Sequence, residues 1–273
     1  MDKDIASALD DIDKINPFAT YLDNNVLSRV GEWIDTGSYV LNAIISGSIK
    51  GGIPKGRVTM LAGESMTGKS LFVQKILAKA QEEGLTPVIF DTENAIDPDG
   101  AKRLGLDISK VKYVPTTSIE QARNALFKFL TTVKEKGLEG KFIVAIDSLA
   151  NLQSELEISR MSKDSTSSDM GTKARAMKTL MQTCTNLGSV TQTTILCTNH
   201  VYDDPTALFP SIEKNMPGGK SCVYLPSVTV QLARKPMKSD GGKTVDGELA
   251  VGQKKYAGII IRALTRKLSL IHI

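Results

Sequence analysis

Residues 63–70 have the types and the spacing that bind a phosphate chain. They follow the pattern G-x-x-x-x-G-K-[ST] and are Gly63, Glu64, Ser65, Met66, Thr67, Gly68, Lys69 and Ser70. Glycines let such a loop turn tightly, so its backbone N–H groups and the N-terminus of the next helix point at phosphate oxygens. In this pattern Lys69 reaches the outer phosphates and the Ser70 hydroxyl binds Mg²⁺. The sequence predicts a nucleoside triphosphate site; the alternative is a chance match in a glycine-rich turn.

Two carboxylates follow apolar segments that are predicted to be strands of one sheet. Asp147 ends the segment 142–147, where a carboxylate beside the phosphate-binding loop can hold Mg²⁺ through water. The alternative for Asp147 is a cap on the next helix. Glu93 lies just past Asp91, the end of another apolar segment, and can orient an attacking water or accept its proton. The alternative for Glu93 is a solvated acid in a turn.

Polar groups and long irregular segments follow the same kind of strand. Thr198, Asn199 and His200 end an apolar strand, where they can sense a terminal phosphate and relay its state; a simple turn or cap is the alternative. Residues 201–219 have no periodicity, and residues 152–168 are similarly polar. Irregular segments this long in a compact domain are usually functional or disordered.

Strands and helices alternate along most of the chain. Apolar strands are predicted at 58–62, 86–91, 111–114, 142–147, 193–198, 227–232 and 256–264. Helices are predicted at 4–14, from about 38, at 69–83, from 98, and at 117–136 and 169–187. We expect Gly51 and Gly52 to end the second helix, and Thr117 with Glu120 to form a capping box. Apolar strands without alternation, joined by helices, predict an α/β fold whose mostly parallel central sheet has helices on both faces.

Composition excludes several classes of protein. The chain has 273 residues, of which 41% are hydrophobic and 23% are charged, as in ordinary globular proteins. No apolar run is long enough for a membrane span, and no signal-peptide pattern begins the chain, so we expect a cytoplasmic protein. Cys184, Cys197 and Cys222 are widely spaced, which argues against a disulfide framework or a zinc site and favours buried apolar side chains.

The net charge does not decide the partner. The chain carries 34 basic and 30 acidic residues, for a net charge of +4. This weakly basic balance permits a nucleic-acid partner without demanding one. A DNA-binding function must therefore come from the motifs.

The order of these motifs resembles the RecA family of strand-exchange recombinases, and within it the bacteriophage UvsX-like branch. The resemblance is carried by residues 36–48, 63–70, 90–98, 145–152, 168–177, 198–200 and 217–220. It implies a P-loop NTPase core at 35–267, preceded at 1–34 by a short N-terminal helical arm and linker that docks on the adjacent protomer. Residues 268–273 look like the translated end of a sequencing adapter, which suggests that the true C-terminal region is missing; the alternative is a natural short apolar tail.

The resemblance also implies roles for individual residues. Glu93 matches the catalytic glutamate. His200 matches the residue that couples the γ-phosphate to DNA binding, which is a glutamine in many relatives and a histidine in phage relatives. Asp97 matches a residue that contacts adenine, whereas Gly100 stands near the place of the aromatic that stacks on adenine in bacterial relatives. The remaining implied roles are catalysis for Lys69, metal binding for Ser70 and Asp147, contact with a neighbour's ATP for Arg266 and Lys267, and DNA binding for Met170, Arg175, Phe209, Gly218, Gly219 and Lys220.

The function implied is that of a DNA-dependent ATPase that uses ATP and Mg²⁺. It would form helical filaments on single-stranded DNA and catalyse homologous pairing and strand exchange with duplex DNA. Loading proteins and single-strand-binding proteins would be further partners. Two alternatives stay open: a hexameric DNA helicase of the same superfamily, and a recombinase paralogue without catalytic activity.

Overall fold

The computed structural model describes residues 3–15, 30–94, 96–161, 170–203, 211–238 and 256–269. The helices are α1 (Lys3–Ile15), α2 (Tyr39–Ser46), α3 (Lys69–Glu82), α4 (Pro98–Arg103), α5 (Ile119–Glu135), α6 (Glu155–Met161), α7 (Met170–Val190) and α8 (Ser221–Tyr224). The strands are β1 (Trp33–Ile34), β2 (Ile53–Pro54), β3 (Val58–Gly63), β4 (Thr86–Asp91), β5 (Lys112–Pro115), β6 (Phe142–Asp147), β7 (Thr194–Asn199), β8 (Val228–Lys238) and β9 (Tyr256–Leu268).

Seven of the described strands form one sheet in the order β5-β4-β6-β7-β3-β8-β9. Its neighbouring strands are parallel except β8 and β9, which pair antiparallel. The structure thus confirms the predicted α/β fold with a mostly parallel sheet. Asp91 is paired with Asp147, and Ala62 with Asn199, so the strands that carry the candidate site residues end at one edge of the sheet.

Both faces of the sheet are covered by apolar side chains. Val144 and Ile146 of β6 belong to a buried cluster on one face together with Leu126 of α5. Ile143 of the same strand belongs to the cluster on the other face, with Ile76 of α3. Burial on both faces explains why these strands are continuously apolar, and it fixes the sheet as the rigid support of the site.

Three local predictions were wrong. Residues 155–161, within the segment 152–168 that was expected to be irregular, form helix α6. Helix α2 ends at Ser46 because Gly47, with φ of 74°, forms a left-handed cap there, and not at Gly51-Gly52. Helix α5 is capped by Ser118, whose hydroxyl accepts the Gln121 N–H, and not by Thr117. Glu120 takes no part in that cap but accepts the N–H of Glu155 at 3.0 Å.

The two ends of the described chain differ in character. In α1 the side chains of Leu9, Ile12 and Ile15 are exposed. At the other end, Leu268 was placed in a tail by its sequence but is the last residue of β9, opposite Val228. Residues 270–273 lie outside the described residues. Among the described helices, none has both the length and the apolar character for a membrane span.

Candidate functional site

The phosphate-binding loop joins the end of β3 to the start of α3. A Cβ atom on Gly63 would lie 2.6 Å from Thr67 Oγ1 and 2.7 Å from the Leu232 carbonyl oxygen, so a larger residue does not fit. Gly68 has a φ of +83°, which glycine adopts without strain. The Thr67 hydroxyl donates to the Glu64 carbonyl at 2.8 Å. These contacts close the loop into the compact turn that the sequence pattern predicted.

Lys69 carries a buried positive charge at the mouth of this turn. Its Nζ donates to the carbonyl oxygens of Gly63 and Glu64, both at 2.9 Å. Burial lowers the pKa of Lys69, while the nearby charges of Asp147 and Glu93 act in the opposite direction. Because a buried charge needs a compensating partner, a phosphate in the loop would stabilise this ammonium group.

Asp147 and Ser70 provide the oxygen atoms suited to a hard dication. The Thr198 hydroxyl donates to Asp147 Oδ1 at 2.6 Å, and the Ser70 hydroxyl also hydrogen-bonds this carboxyl group. Burial raises the pKa of Asp147, against these two hydrogen bonds and together with the charges of Glu93 and Asp91. A bound Mg²⁺, which takes oxygen ligands, would favour the ionised carboxylate, so the donor set fits that ion.

Glu93 is held at its side chain from two directions. The Ser148 hydroxyl donates to Glu93 Oε1 at 2.8 Å, and His200 Nε2 lies 3.6 Å from the same oxygen. The Glu93 side chain is 33% exposed, so water can reach it. A carboxylate in this position can orient a water molecule and take its proton.

Asp91 holds the backbone of Glu93. It is 2% exposed, and its Oδ1 accepts the N–H groups of Glu93 and Asn94, both at 2.9 Å. The Tyr113 hydroxyl lies 3.1 Å from Asp91 Oδ2. Sequence reasoning missed the roles of Asp91 and Ser148. The available signal was that each is a polar residue at or directly after the end of an apolar strand, within two positions of a residue that was singled out.

The structure brings most of the predicted nucleotide-site residues together. A cavity of about 250 Å³ is lined by Ser65, Met66, Gly68, Lys69, Ser70, Leu71, Glu93, Asp147 and His200. Lys69, Ser70, Glu93, Asp147 and His200 were predicted from sequence to share this site. The ends of β4, β6 and β7 and the start of α3 supply these five residues. The residues therefore meet because these strands end at the same edge of the sheet.

Three other predicted residues lie elsewhere within the chain. Asp97 caps α4 by accepting the N–H of Gly100 at 2.8 Å. Arg266 donates to the Lys214 carbonyl, and Lys267 donates to the Tyr224 carbonyl. None of the three lines the cavity described above. Their implied roles, contact with adenine and with the ATP of a neighbouring subunit, stay predictions.

Comparison with known proteins decides the family. A family model for the RecA N-terminal domain matches residues 3–260. This chain belongs to the RecA family. Protein RecA of Chlorobium chlorochromatii is 31% identical over 208 residues, which cover 76% of this chain and 55% of that protein. Protein RecA of Rhodopirellula baltica is 30% identical over 227 residues, which cover 83% and 56%. The chain therefore spans less than two thirds of the length of these relatives.

In this RecA-family chain, the segment after β7 is attached to the same sheet edge. We call residues 201–203 and 211–219 the loop stem. They flank residues 204–210, which include Phe209 and lie outside the described residues. Tyr202 and Asn215 exchange two backbone hydrogen bonds of 2.9 Å. The Asn199 side chain donates to the Pro217 carbonyl at 3.1 Å. The stem is thus bound to the residue directly before His200.

The predicted DNA-binding residues of the RecA-family chain lie near this stem. Gly218 and Gly219 have φ values of +87° and +80°, and a Cβ on Gly218 would lie 2.7 Å from Met177 Cγ of α7. Lys220 and Arg175 are exposed, and Met170 is the first residue of α7. Residues 162–168, the end of the polar segment 152–168, lie outside the described residues together with residue 169.

Proposed function

We propose that this RecA-family chain is an ATP-dependent DNA recombinase that forms filaments on single-stranded DNA and exchanges strands between homologous molecules. The observation that carries the proposal is the shared sheet edge. Glu93 and His200 face the phosphate-binding loop, and Asn199, next to His200, bonds the loop stem at Pro217. One edge therefore joins a triphosphate site to a candidate DNA-binding segment.

The substrate would be ATP with Mg²⁺. Hydrolysis of its terminal phosphoric anhydride bond would change how the protein binds DNA. Lys69 and the backbone N–H groups of residues 63–70 bind phosphate oxygens. Ser70 and Asp147 provide oxygen ligands for the metal. Glu93, oriented by the 2.8 Å hydrogen bond from Ser148, accepts the proton of the attacking water.

His200 is the proposed link between hydrolysis and DNA binding. Its Nε2 lies 3.6 Å from Glu93 Oε1, and its backbone N–H donates to Asn199 Oδ1 at 2.9 Å. A movement of His200 towards a terminal phosphate would therefore shift Asn199 and the stem. Phosphate and backbone contacts carry no sequence information. The proposed contacts, none of which requires a particular base, are Met170, Arg175, Phe209, Gly218, Gly219 and Lys220.

Filament formation needs contacts between copies of the chain. The exposed apolar residues Leu9, Ile12 and Ile15 of α1 give the arm a surface that an adjacent protomer can bury. Arg266 and Lys267 are proposed to reach the ATP of the neighbour, and Asp97 to contact its own adenine. Loading proteins and single-strand-binding proteins are proposed as further partners.

We assign the chain, as part of this proposal, to the bacteriophage UvsX-like branch and to the cytoplasm of the host cell. His200 supports the branch, because the sequence resemblance places a histidine there in phage relatives and a glutamine in many others. Identities near 30% with bacterial RecA proteins fit a distant branch. The genes beside this reading frame test the assignment: bacterial housekeeping genes on both sides would contradict it.

The function is tested by ATP hydrolysis with single-stranded and with duplex DNA, together with electron microscopy. We expect hydrolysis to rise with single-stranded DNA and helical filaments to form with ATP. Closed rings that unwind forked duplexes would identify a helicase instead. ATP binding without DNA-stimulated hydrolysis or strand exchange would identify a non-catalytic paralogue.

A further inference from the structure

An ion pair connects the phosphate-binding loop directly to the loop stem. Lys214 Nζ contacts Glu64 Oε1 and also lies 3.2 Å from Asp203 Oδ2. Glu64 is the second residue of the phosphate-binding loop, while Asp203 and Lys214 lie on the two sides of residues 204–210. One ammonium group therefore joins both halves of the stem to the phosphate-binding loop.

The backbone of Lys214 is fixed independently of this ion pair. Its N–H donates to Gln231 Oε1 at 3.0 Å, and Gln231 Nε2 donates to the Ile212 carbonyl at 2.8 Å. Arg266 donates to the Lys214 carbonyl. Gln231 lies in β8 beside Ala62 of β3, the strand that leads into the phosphate-binding loop. The sheet thus sets the lysine within reach of Glu64.

The backbone of Glu64 is hydrogen-bonded to Lys69, the residue that is proposed to bind the phosphate. Its carbonyl oxygen accepts hydrogen bonds from Lys69 Nζ at 2.9 Å and from Thr67 Oγ1 at 2.8 Å. A phosphate in the loop attracts the Lys69 ammonium and competes with that carbonyl. The same negative charge repels the Glu64 carboxylate and so weakens its ion pair with Lys214, since like charges destabilise each other at these distances.

We infer that Glu64 and Lys214 are positioning residues that transmit phosphate occupancy to the loop stem, by a route separate from Glu93 and His200. Without nucleotide, the ion pair holds the stem against the phosphate-binding loop in the form with low DNA affinity. With triphosphate bound, the pair is weakened and the stem is released to grip DNA. This inference rests on the proposed function, because it concerns how nucleotide controls DNA binding.

The test measures the affinity of the full chain for a fluorescent single-stranded oligonucleotide, without nucleotide and with a non-hydrolysable ATP analogue. The variants are Glu64→Gln and the charge swap Glu64→Lys with Lys214→Glu. We expect Glu64→Gln to tighten DNA binding without nucleotide by about three-fold, the size expected of a partly exposed ion pair. With the analogue at a concentration that saturates each protein, the variant should gain less DNA affinity than the parent chain gains, so the ratio between the two conditions falls. The charge swap restores the pair and should restore the ratio.

Glu82→Gln is the matched control. It makes the same change of charge and breaks another exposed Lys–Glu pair, that of Lys79 and Glu82 at 2.7 Å in the last turns of α3. Its ratio should equal that of the parent chain. A second readout is reciprocal, because the ratio of analogue affinities with and without DNA must change by the same factor. That match checks that the measurements are at equilibrium. A merely structural role for Glu64 would change DNA affinity by the same factor in both conditions and leave the ratio unchanged.

Two results would overturn the inference: a parental ratio in Glu64→Gln, or a charge swap that keeps the reduced ratio. If the parent chain bound DNA with the same affinity with and without the analogue, the proposed function itself would be overturned. The two failures are therefore distinguishable in one set of measurements.

Discussion

The Ser148 hydroxyl donates a 2.8 Å hydrogen bond to Glu93 Oε1 and joins the end of β6 to the turn after β4. His200 Nε2 lies 3.6 Å from the same oxygen, so one carboxylate oxygen faces groups from two other strand ends. A donor in this position fixes the direction in which the carboxylate can accept a proton. In the proposed function, Ser148 would therefore act on hydrolysis through Glu93.

Replacing Ser148 by alanine should slow hydrolysis more than it weakens ATP binding. A hydrogen bond to a charged group contributes about 1.5 kcal/mol, so kcat for DNA-stimulated hydrolysis should fall about ten-fold with little change in KM for ATP. Steady-state kinetics measure both. Ser109→Ala, which removes a hydroxyl that donates to Asp107 at 2.6 Å outside the cavity, is the control. An equal loss in both variants, or no loss in Ser148→Ala, would exclude this role.

Asp147→Asn should separate stability from metal-dependent nucleotide binding. Because burial raises the pKa of Asp147, its ionised form costs stability in the folded protein, and a neutral amide of similar shape should cost little stability. The variant should unfold at or near the parental Tm without ligand. It should lose most of the rise in Tm that ATP with Mg²⁺ gives the parent chain. A parental rise in Tm on adding ATP and Mg²⁺ would show that Asp147 does not support the metal.

Lys69→Ala should abolish ATP-dependent filament formation on single-stranded DNA. The substitution removes the buried ammonium that donates to the Gly63 and Glu64 carbonyls and that a phosphate would attract. Electron microscopy and a strand-exchange assay provide the measurement. Lys79→Ala, near the end of the same helix, should behave like the parent chain. Strand exchange by Lys69→Ala would refute the mechanism.

The thiol groups should be inert in the folded protein. Cys184, Cys197 and Cys222 are each 0% exposed, and burial raises the pKa of Cys222 to about 12. The pKa of Cys197 is also raised, first by a hydrogen bond with Cys184. Since the thiolate is the reactive form, an aromatic disulfide reagent at pH 8 should label no thiol in the native chain and three in denaturant. Rapid labelling of native protein would contradict the buried arrangement.

Local patterns predicted the elements, whereas contacts between distant residues were not accessible from one sequence. The phosphate-binding loop was found because its glycines, lysine and serine lie within eight positions, between an apolar strand and a helix. The burial of the three cysteines followed from their apolar character. The end of α2 was misplaced because several glycines follow the helix. Residue type does not say which of them is the cap, whereas the backbone shows that it is Gly47, in the left-handed conformation.

The missing parts of the site depend on strand register. Ser148 and Glu93 are separated by 55 positions, and Glu64 and Lys214 by 150. Each pair meets only because β6 lies beside β4 and β8 lies beside β3. The position of β9 as the outermost strand of the sheet likewise depends on its long-range antiparallel pairing with β8. Residue types could suggest that these side chains were polar and near strand ends, but not which of them would touch.

The most direct measurement is the affinity for single-stranded DNA at one fixed salt concentration, with Mg²⁺ and either a non-hydrolysable ATP analogue, ADP or no nucleotide. The shared sheet edge predicts at least about ten-fold tighter binding with the triphosphate analogue than in the other two conditions, within the usual range of coupling between sites. Equal affinities in all three conditions would show that the phosphate site does not control the DNA-binding segment, and would contradict the account.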